Sequence, residues 1–244
     1  NPDFELAHSD LGNILKELGK LQEAEKSYCK AIELNPNSAN FHSNLGTLLR
    51  DLGKSKEAEL STRKAIELKP DFAQAYSNLG GILRILGNLK EAELFTRKAI
   101  ELEPGYAEAH LNQGIILIDL GKFLEAESPI RKAIEINSGL IDAHFRLGEI
   151  LFELGKPEEA SISEWKGIKL NPSFLSLKSY RENSKLINKT AFWVFSSLVL
   201  NHFRSIIEIN PSSFEILIPN NISSNLMLQL EDYIKDKNIR IRTI

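Results

Sequence analysis

The chain has 244 residues, enough for one large domain or two ordinary ones. Its 42% hydrophobic and 26% charged content is that of a globular protein and excludes the disordered, collagenous and coiled-coil classes. Thirty basic against 33 acidic residues give a net charge of −3, too balanced to recruit nucleic acid, and a single cysteine, Cys29, excludes an intramolecular disulfide and a cysteine-based zinc site.

The chain opens Asn1-Pro2-Asp3-Phe4. Near-copies recur as Asn35-Pro36-Asn37-Ser38, Lys69-Pro70-Asp71-Phe72 and Asn171-Pro172-Ser173-Phe174. Residues 1–4 therefore read as the tail of an earlier repeat, and the chain as a piece of something longer. The longest apolar stretch, near residues 191–200, is too short to span a bilayer, which needs about 20 apolar residues. A cytoplasmic location is the expectation.

A period of 34 follows at once. It relates Gly12, Gly46, Gly80, Gly114 and Gly148; Gly19, Gly53, Gly87, Gly121 and Gly155; and Ala24, Ala58, Ala92, Ala126 and Ala160. Ala31, Ala65, Ala99 and Ala133 keep the step until Gly167, and Pro36, Pro70, Pro104 and Pro172 keep it with Ser138 in the fourth slot. Five copies result: residues 5–38, 39–72, 73–106, 107–140 and 141–174. Places within a copy are counted below from its first residue.

Each copy reads as two helices. In the second, residues 39–52 carry Phe41, Leu45, Leu48, Leu49 and Leu52 at three- and four-residue spacing. Gly53 ends that helix as a left-handed residue can. Residues 56–69 form the next, with Ala58, Ala65, Ile66 and Leu68, and Pro70 stops it. A glycine inside a helix costs about 1 kcal/mol against alanine, so the recurrence of Gly46 and its equivalents implies close backbone approach. Pro129 falls inside a second helix and is expected to kink or delay it. Ser138-Gly139 is expected to loosen the turn that follows, and Glu164, Trp165 and Gly167 mark drift in the fifth copy.

The run Leu-Gly, Gly-Lys, Glu-Ala, Lys-Ala-Ile-Glu-Leu and Pro resembles the tetratricopeptide repeat over residues 5–174. The resemblance implies stacked antiparallel helix pairs in a right-handed superhelix, the first helix of each pair lining the concave face. The sixth place holds Asp10, Asn44, Asn78, Asn112 and Arg146. Three consecutive asparagines form a ladder whose amides, as donor and acceptor, suit the backbone of an extended peptide. The strings Phe41-His42-Ser43-Asn44-Leu45-Gly46 and Ala75-Tyr76-Ser77-Asn78-Leu79-Gly80 are similar to the repeats of O-linked N-acetylglucosamine transferase. Asn13, Asn40 and Gln74 are placed with the ladder as peptide-binding residues. The alternative is that asparagine is merely common and solvated at this place. The carboxylate clamp used on C-terminal peptides is not expected. Asn13 and Asn44 fit two of its places, but the basic places hold Ser9, Gln74 and Asn78. His8, His42, His110 and His144 share one place, too far apart for a common metal, and are expected to pack as aromatic groups. No catalytic residue, cofactor or metal is expected in residues 1–174. Cys29 sits outward, where later copies have Arg63, Arg97 and Arg131.

Beyond residue 174 the period fails. Residues 175–244 carry nine basic and six acidic groups, +3, leaving −6 for the rest. Residues 175–189 read as a capping helix. Then come a strand at 191–197, a helix at 198–209, a strand at 214–219, a helix at 223–236 and a strand at 239–244. That βαβαβ order predicts a partial, Rossmann-like α/β segment from residue 190. It weakly resembles the start of a nucleotide-sugar or CDP-glycerol-type transferase domain. A sixth repeat stretched by five residues competes with it, because Ile207-Glu208-Ile209-Asn210-Pro211 copies the repeat ending. The expected function is a scaffold that binds a peptide or partner protein, with no nucleic acid and no membrane span. Substrate presentation to a larger transferase is the alternative, and self-association through exposed repeat ends is a third reading.

Overall fold

The computed structural model describes residues 2–170, 214–218 and 239–243. The chain divides into two units, residues 1–137 and 138–244. The first holds α1 (Pro2–Glu17), α2 (Leu21–Leu34), α3 (Ala39–Asp51), α4 (Ser55–Leu68), α5 (Ala73–Ile85), α6 (Leu89–Leu102), α7 (Ala107–Asp119) and α8 (Phe123–Ile136). The second holds α9 (Ile141–Glu153), α10 (Pro157–Leu170), β1 (Phe214–Ile218) and β2 (Ile239–Thr243). Two helices per copy is the predicted arrangement. The first helix begins earlier than the period implies: Pro2 opens α1, because a fixed φ and an absent N–H suit a first helical residue.

Each helix pair closes on its small residues. A Cβ added to Gly46 would meet Thr62 and would lie 3.3 Å from the Ala58 carbonyl oxygen. At Gly80 it would meet Thr96 and the Ala92 carbonyl oxygen at 3.2 Å. Ala24, Ala58, Ala92 and Ala126 are fully buried on the facing helices. Helices pack this closely only where no side chain intervenes, which is why the period preserves glycine inside a helix against its propensity.

Repeats join through a second seam. Leu48 of α3 packs with Ala24 and Tyr28, Ile82 of α5 with Leu49 and Ala58, and Ile116 of α7 with Leu83 and Ala92. In the first unit α3, α5 and α7 thus seal onto the preceding pair with their tenth place.

The turns inside each pair are closed by glycine. Gly53 has φ +76°, its N–H donates to Arg50 O at 2.9 Å, and the Lys54 N–H donates to Leu49 O at 2.8 Å. This double bond to the last turn is the left-handed helix stop read from the sequence.

Pro129 corrects one expectation. It lies inside α8, yet α8 has 14 residues, like α2, α4 and α6, so the helix is neither delayed nor shortened. The carbonyl that loses its donor belongs to Glu125, which is exposed to water, while Ile130 next to the proline is fully buried.

In the second unit α9 packs on α10 around the fully buried Ile150 and Ala160. β1 and β2 pair in parallel, Phe214 opposite Ile239 through Ile218 opposite Thr243. Parallel strands require a crossover connection instead of a tight turn. The predicted strand at 191–197, the predicted helices at 175–189, 198–209 and 223–236, and the stretched sixth repeat lie outside the described residues.

Candidate functional site on the first-helix face

In the first unit, successive first helices touch: α3 meets α5 and α5 meets α7. Contact between successive second helices is slighter. The first-helix side is therefore the inner side of this unit, and the sixth places of α3, α5 and α7 stand in a row along it.

Asn44, Asn78 and Asn112 occupy that row and are half-buried. The structure gives them work the sequence reading missed. Asn78 Nδ2 donates to Thr47 Oγ1 at 3.1 Å and to Ser43 Oγ at 3.4 Å. Asn112 Nδ2 donates to Ser77 Oγ at 2.9 Å and to the Ser77 carbonyl at 3.4 Å. The amide nitrogens thus fasten each first helix to the one before it. Their Oδ1 atoms accept no hydrogen bond among the described residues. Asn44 makes none there at all; where α3 offers Thr47, α1 has Asn13, whose Oδ1 accepts the Tyr28 hydroxyl at 2.7 Å. The partners were legible in principle: Ser43 and Ser77 lie 34 residues apart, as the asparagines do, and both are buried.

The other predicted site residues divide. Asn40 on α3 and Gln74 on α5 are exposed with open side chains. Asn13 is exposed but committed to Tyr28 of its own pair. Arg146, at the sixth place of α9 in the second unit, bonds Glu149 at 3.1 Å and Asp142 at 3.6 Å along its own helix.

Three cations of the first helices are paired with acids. Lys16 pairs with Asp51 at 3.3 Å, Arg50 with Asp51 at 2.9 Å, and Arg84 with Asp119 at 2.9 Å. Each cation at the twelfth place is consumed by an acid at the thirteenth. Partly exposed pairs of this kind contribute about 0–1 kcal/mol each, so their effect is to neutralise the surface more than to hold it together.

The repeated histidines do more than pack. His42 Nε2 hydrogen-bonds the Pro36 carbonyl oxygen at 2.9 Å, and His110 Nε2 the Pro104 carbonyl oxygen at 2.9 Å. In the second unit His144 Nε2 reaches the Ser138 carbonyl oxygen at 3.0 Å. Each latches the turn six residues before it. Ser138-Gly139 keeps the latch, so losing the proline does not loosen this contact. Tyr76, at the same place, instead stacks on Phe95 with ring centroids 5.8 Å apart.

Cys29 is exposed, and burial of its sulfur, then Glu25 and Glu33, push its thiol pKa up against the opposing pull of Lys54. A raised thiol is a poor nucleophile at neutral pH. Among the described residues no three potential metal ligands cluster, and no helix is long and apolar enough to cross a membrane.

Family models described as tetratricopeptide repeats match residues 12–53, 44–106 and 107–139, together more than half of the chain. The chain belongs to the tetratricopeptide-repeat family. The solved structures it is similar to include a thermophilic tetratricopeptide-repeat protein of Thermus thermophilus, at 21% identity and TM-score 0.65 over 75% of this chain and 98% of that one. PilF of Pseudomonas aeruginosa follows at 20% identity and TM-score 0.60, over 84% and 98%. YrrB, described as a tetratricopeptide-repeat protein with an unusual peptide-binding site, shares 25% identity and TM-score 0.52 over 73% and 90%. No curated protein matches the chain. The three repeat matches include α3, α5 and α7, the helices that carry the asparagine row.

Proposed function

We propose that the chain is a protein-interaction scaffold whose tetratricopeptide array holds an extended peptide or partner segment along the first-helix face of the first unit. The observation that carries this reading is the row of Asn44, Asn78 and Asn112, with carboxamide oxygens unengaged among the described residues. Because two of the amide nitrogens are already fastened to the preceding helix, the row presents acceptors, and its complement is a run of backbone N–H donors. Asn40 and Gln74 supply further polar contacts beside it. Lys16, Arg50 and Arg84 are already paired with acids, which disfavours an acidic C-terminal peptide. A peptide-binding site in YrrB, which shares the fold, supports the general role.

Each such hydrogen bond contributes about 0.5–1.5 kcal/mol net, so three alone give weak binding that neighbouring contacts must supplement. The test is a peptide array probed with the full chain and with Asn44→Ala. Asn44 bonds nothing among the described residues, so its loss leaves the fold intact. Reduced capture of uncharged extended peptides supports the reading; unchanged capture by Asn44→Ala and by the triple variant including Asn78→Ala and Asn112→Ala ends it.

The alternative, in which the array presents substrate to a transferase-like domain beginning near residue 190, draws on the parallel pairing of β1 and β2. Parallel pairing suits a Rossmann-like segment and does not by itself identify one.

A further inference from the structure

α5 departs from the other first helices at two places one turn apart. At the ninth place α1, α3, α7 and α9 carry Asn13, Thr47, Ile115 and Glu149, and α5 has Gly81. At the thirteenth the same four carry the acids Glu17, Asp51, Asp119 and Glu153, and α5 has Ile85. Gln74, Asn78, Gly81 and Ile85 follow one another at steps of four, three and four. Both departures therefore share the helix face that carries the asparagine row.

Packing accounts for neither. A glycine inside a helix is disfavoured against alanine, and Gly46, Gly80 and Gly114 are kept because a Cβ would strike the partner helix. A Cβ at Gly81 would meet nothing within 4 Å. Ile85 is 53% exposed, and without an acid there Arg50 pairs with Asp51 of its own helix at 2.9 Å. Lys16 and Arg84, at the same place as Arg50, each reach an acid on the next first helix. The two departures leave a notch on the inner side, floored by the α5 backbone at Gly81 and ended by Ile85. Thr47 and Ile115 hold the same place on the helices to either side. The Thr47 hydroxyl is engaged, donating to Ser43 O at 3.1 Å and accepting from Asn78 Nδ2 at 3.1 Å. The notch thus offers apolar surface next to the Asn78 Oδ1, which accepts nothing among the described residues.

We infer that this notch selects the bound segment: it seats one leucine-sized aliphatic side chain of the extended peptide on Gly81 and Ile85, while a backbone N–H beside that side chain donates to Asn78 Oδ1. The inference rests on the peptide reading of the asparagine row and adds a side-chain requirement that the row alone does not impose.

The test is an array of short, end-blocked peptides of uncharged residues in which each position in turn carries glycine, leucine or aspartate, probed with the full chain. At one position the parent should capture leucine about five- to tenfold better than glycine or aspartate, the gain from partial burial of a leucine side chain. Gly81→Leu fills the notch, and Ile85→Asp restores the acid of the other copies. Each should abolish the leucine preference and leave capture of the glycine peptides unchanged. Gly81→Leu also adds helix propensity at an open position, so a melting temperature at or above the parent's shows that this variant folds. Capture that depends on Asn44 but is indifferent to leucine at every position overturns the inference and leaves the peptide reading standing. So does a leucine preference that both variants retain. Failure of the parent to capture any peptide overturns both.

Discussion

Asn78 Nδ2 donates to Thr47 Oγ1 at 3.1 Å, so a residue first read as a ligand contact is also a fastener between α5 and α3. Asn44, at the equivalent place, fastens nothing among the described residues. Asn78→Ala should therefore lower stability by about 0.5–1.5 kcal/mol, the net worth of a hydrogen bond, and Asn44→Ala by less than about 0.5 kcal/mol. Urea unfolding of the two variants side by side measures the difference; equal losses would remove the fastening role.

Gly80 and Thr96 mark where α5 and α6 touch. Gly80→Ala improves helix propensity by about 1 kcal/mol but drives a methyl into Thr96 and to 3.2 Å from the Ala92 carbonyl oxygen. Overpacking costs about 1–3 kcal/mol, so the sum should be destabilising. A melting temperature at or above that of the parent chain would show that the helices have room to part.

Gly53 resists substitution for a different reason. A Cβ there meets nothing within 4 Å, yet φ is +76°. Gly53→Ala should cost about 1–2 kcal/mol from backbone conformation alone. Gly53→Asn should cost less, because asparagine tolerates the left-handed region. Thermal unfolding that ranks alanine equal to asparagine would argue against this cause.

Tyr106 is pushed up to about 12 from the usual 10.0, first by burial and then by Glu108 and Glu103. The folded chain therefore holds this proton more tightly than the unfolded one. Its contribution to stability is complete below pH 10 and is lost as pH rises from about 10 to 12. Absorbance titration of the chain against Tyr106→Phe should resolve a late-ionising tyrosine that the variant lacks.

Cys29 should alkylate more slowly than free cysteine at neutral pH, since burial, Glu25 and Glu33 hold back the thiolate. Glu25→Gln also releases Lys54, which Glu25 binds at 2.7 Å, and should speed the reaction. Iodoacetamide labelling followed by mass provides the rates; a rate for the parent chain matching free cysteine would contradict the assigned environment.

Much of this molecule is written in its spacing. A 34-residue period with glycine inside one helix, alanine on its partner and glycine between them dictates paired helices, because each requirement is local: a left-handed stop, a close approach, an apolar stripe. The strands at 214–218 and 239–243 were legible too, from runs of β-favouring residues. The period did not decide what the asparagines, histidines and charges do. Whether Asn78 faces a ligand or Thr47 and whether Arg84 stands free or meets Asp119 depend on how closely successive repeats approach. That distance is set by side chains 20 to 33 residues apart in sequence, through the burial of Leu48, Ile82 and Ile116 against the pair before them. Pro129 illustrates the same division. Its ring forecasts a kinked or delayed helix, yet α8 starts and ends where its counterparts do, with the Glu125 carbonyl left to water. Sequence alone determined which residues recur; only tertiary contact decided which of their atoms remain available.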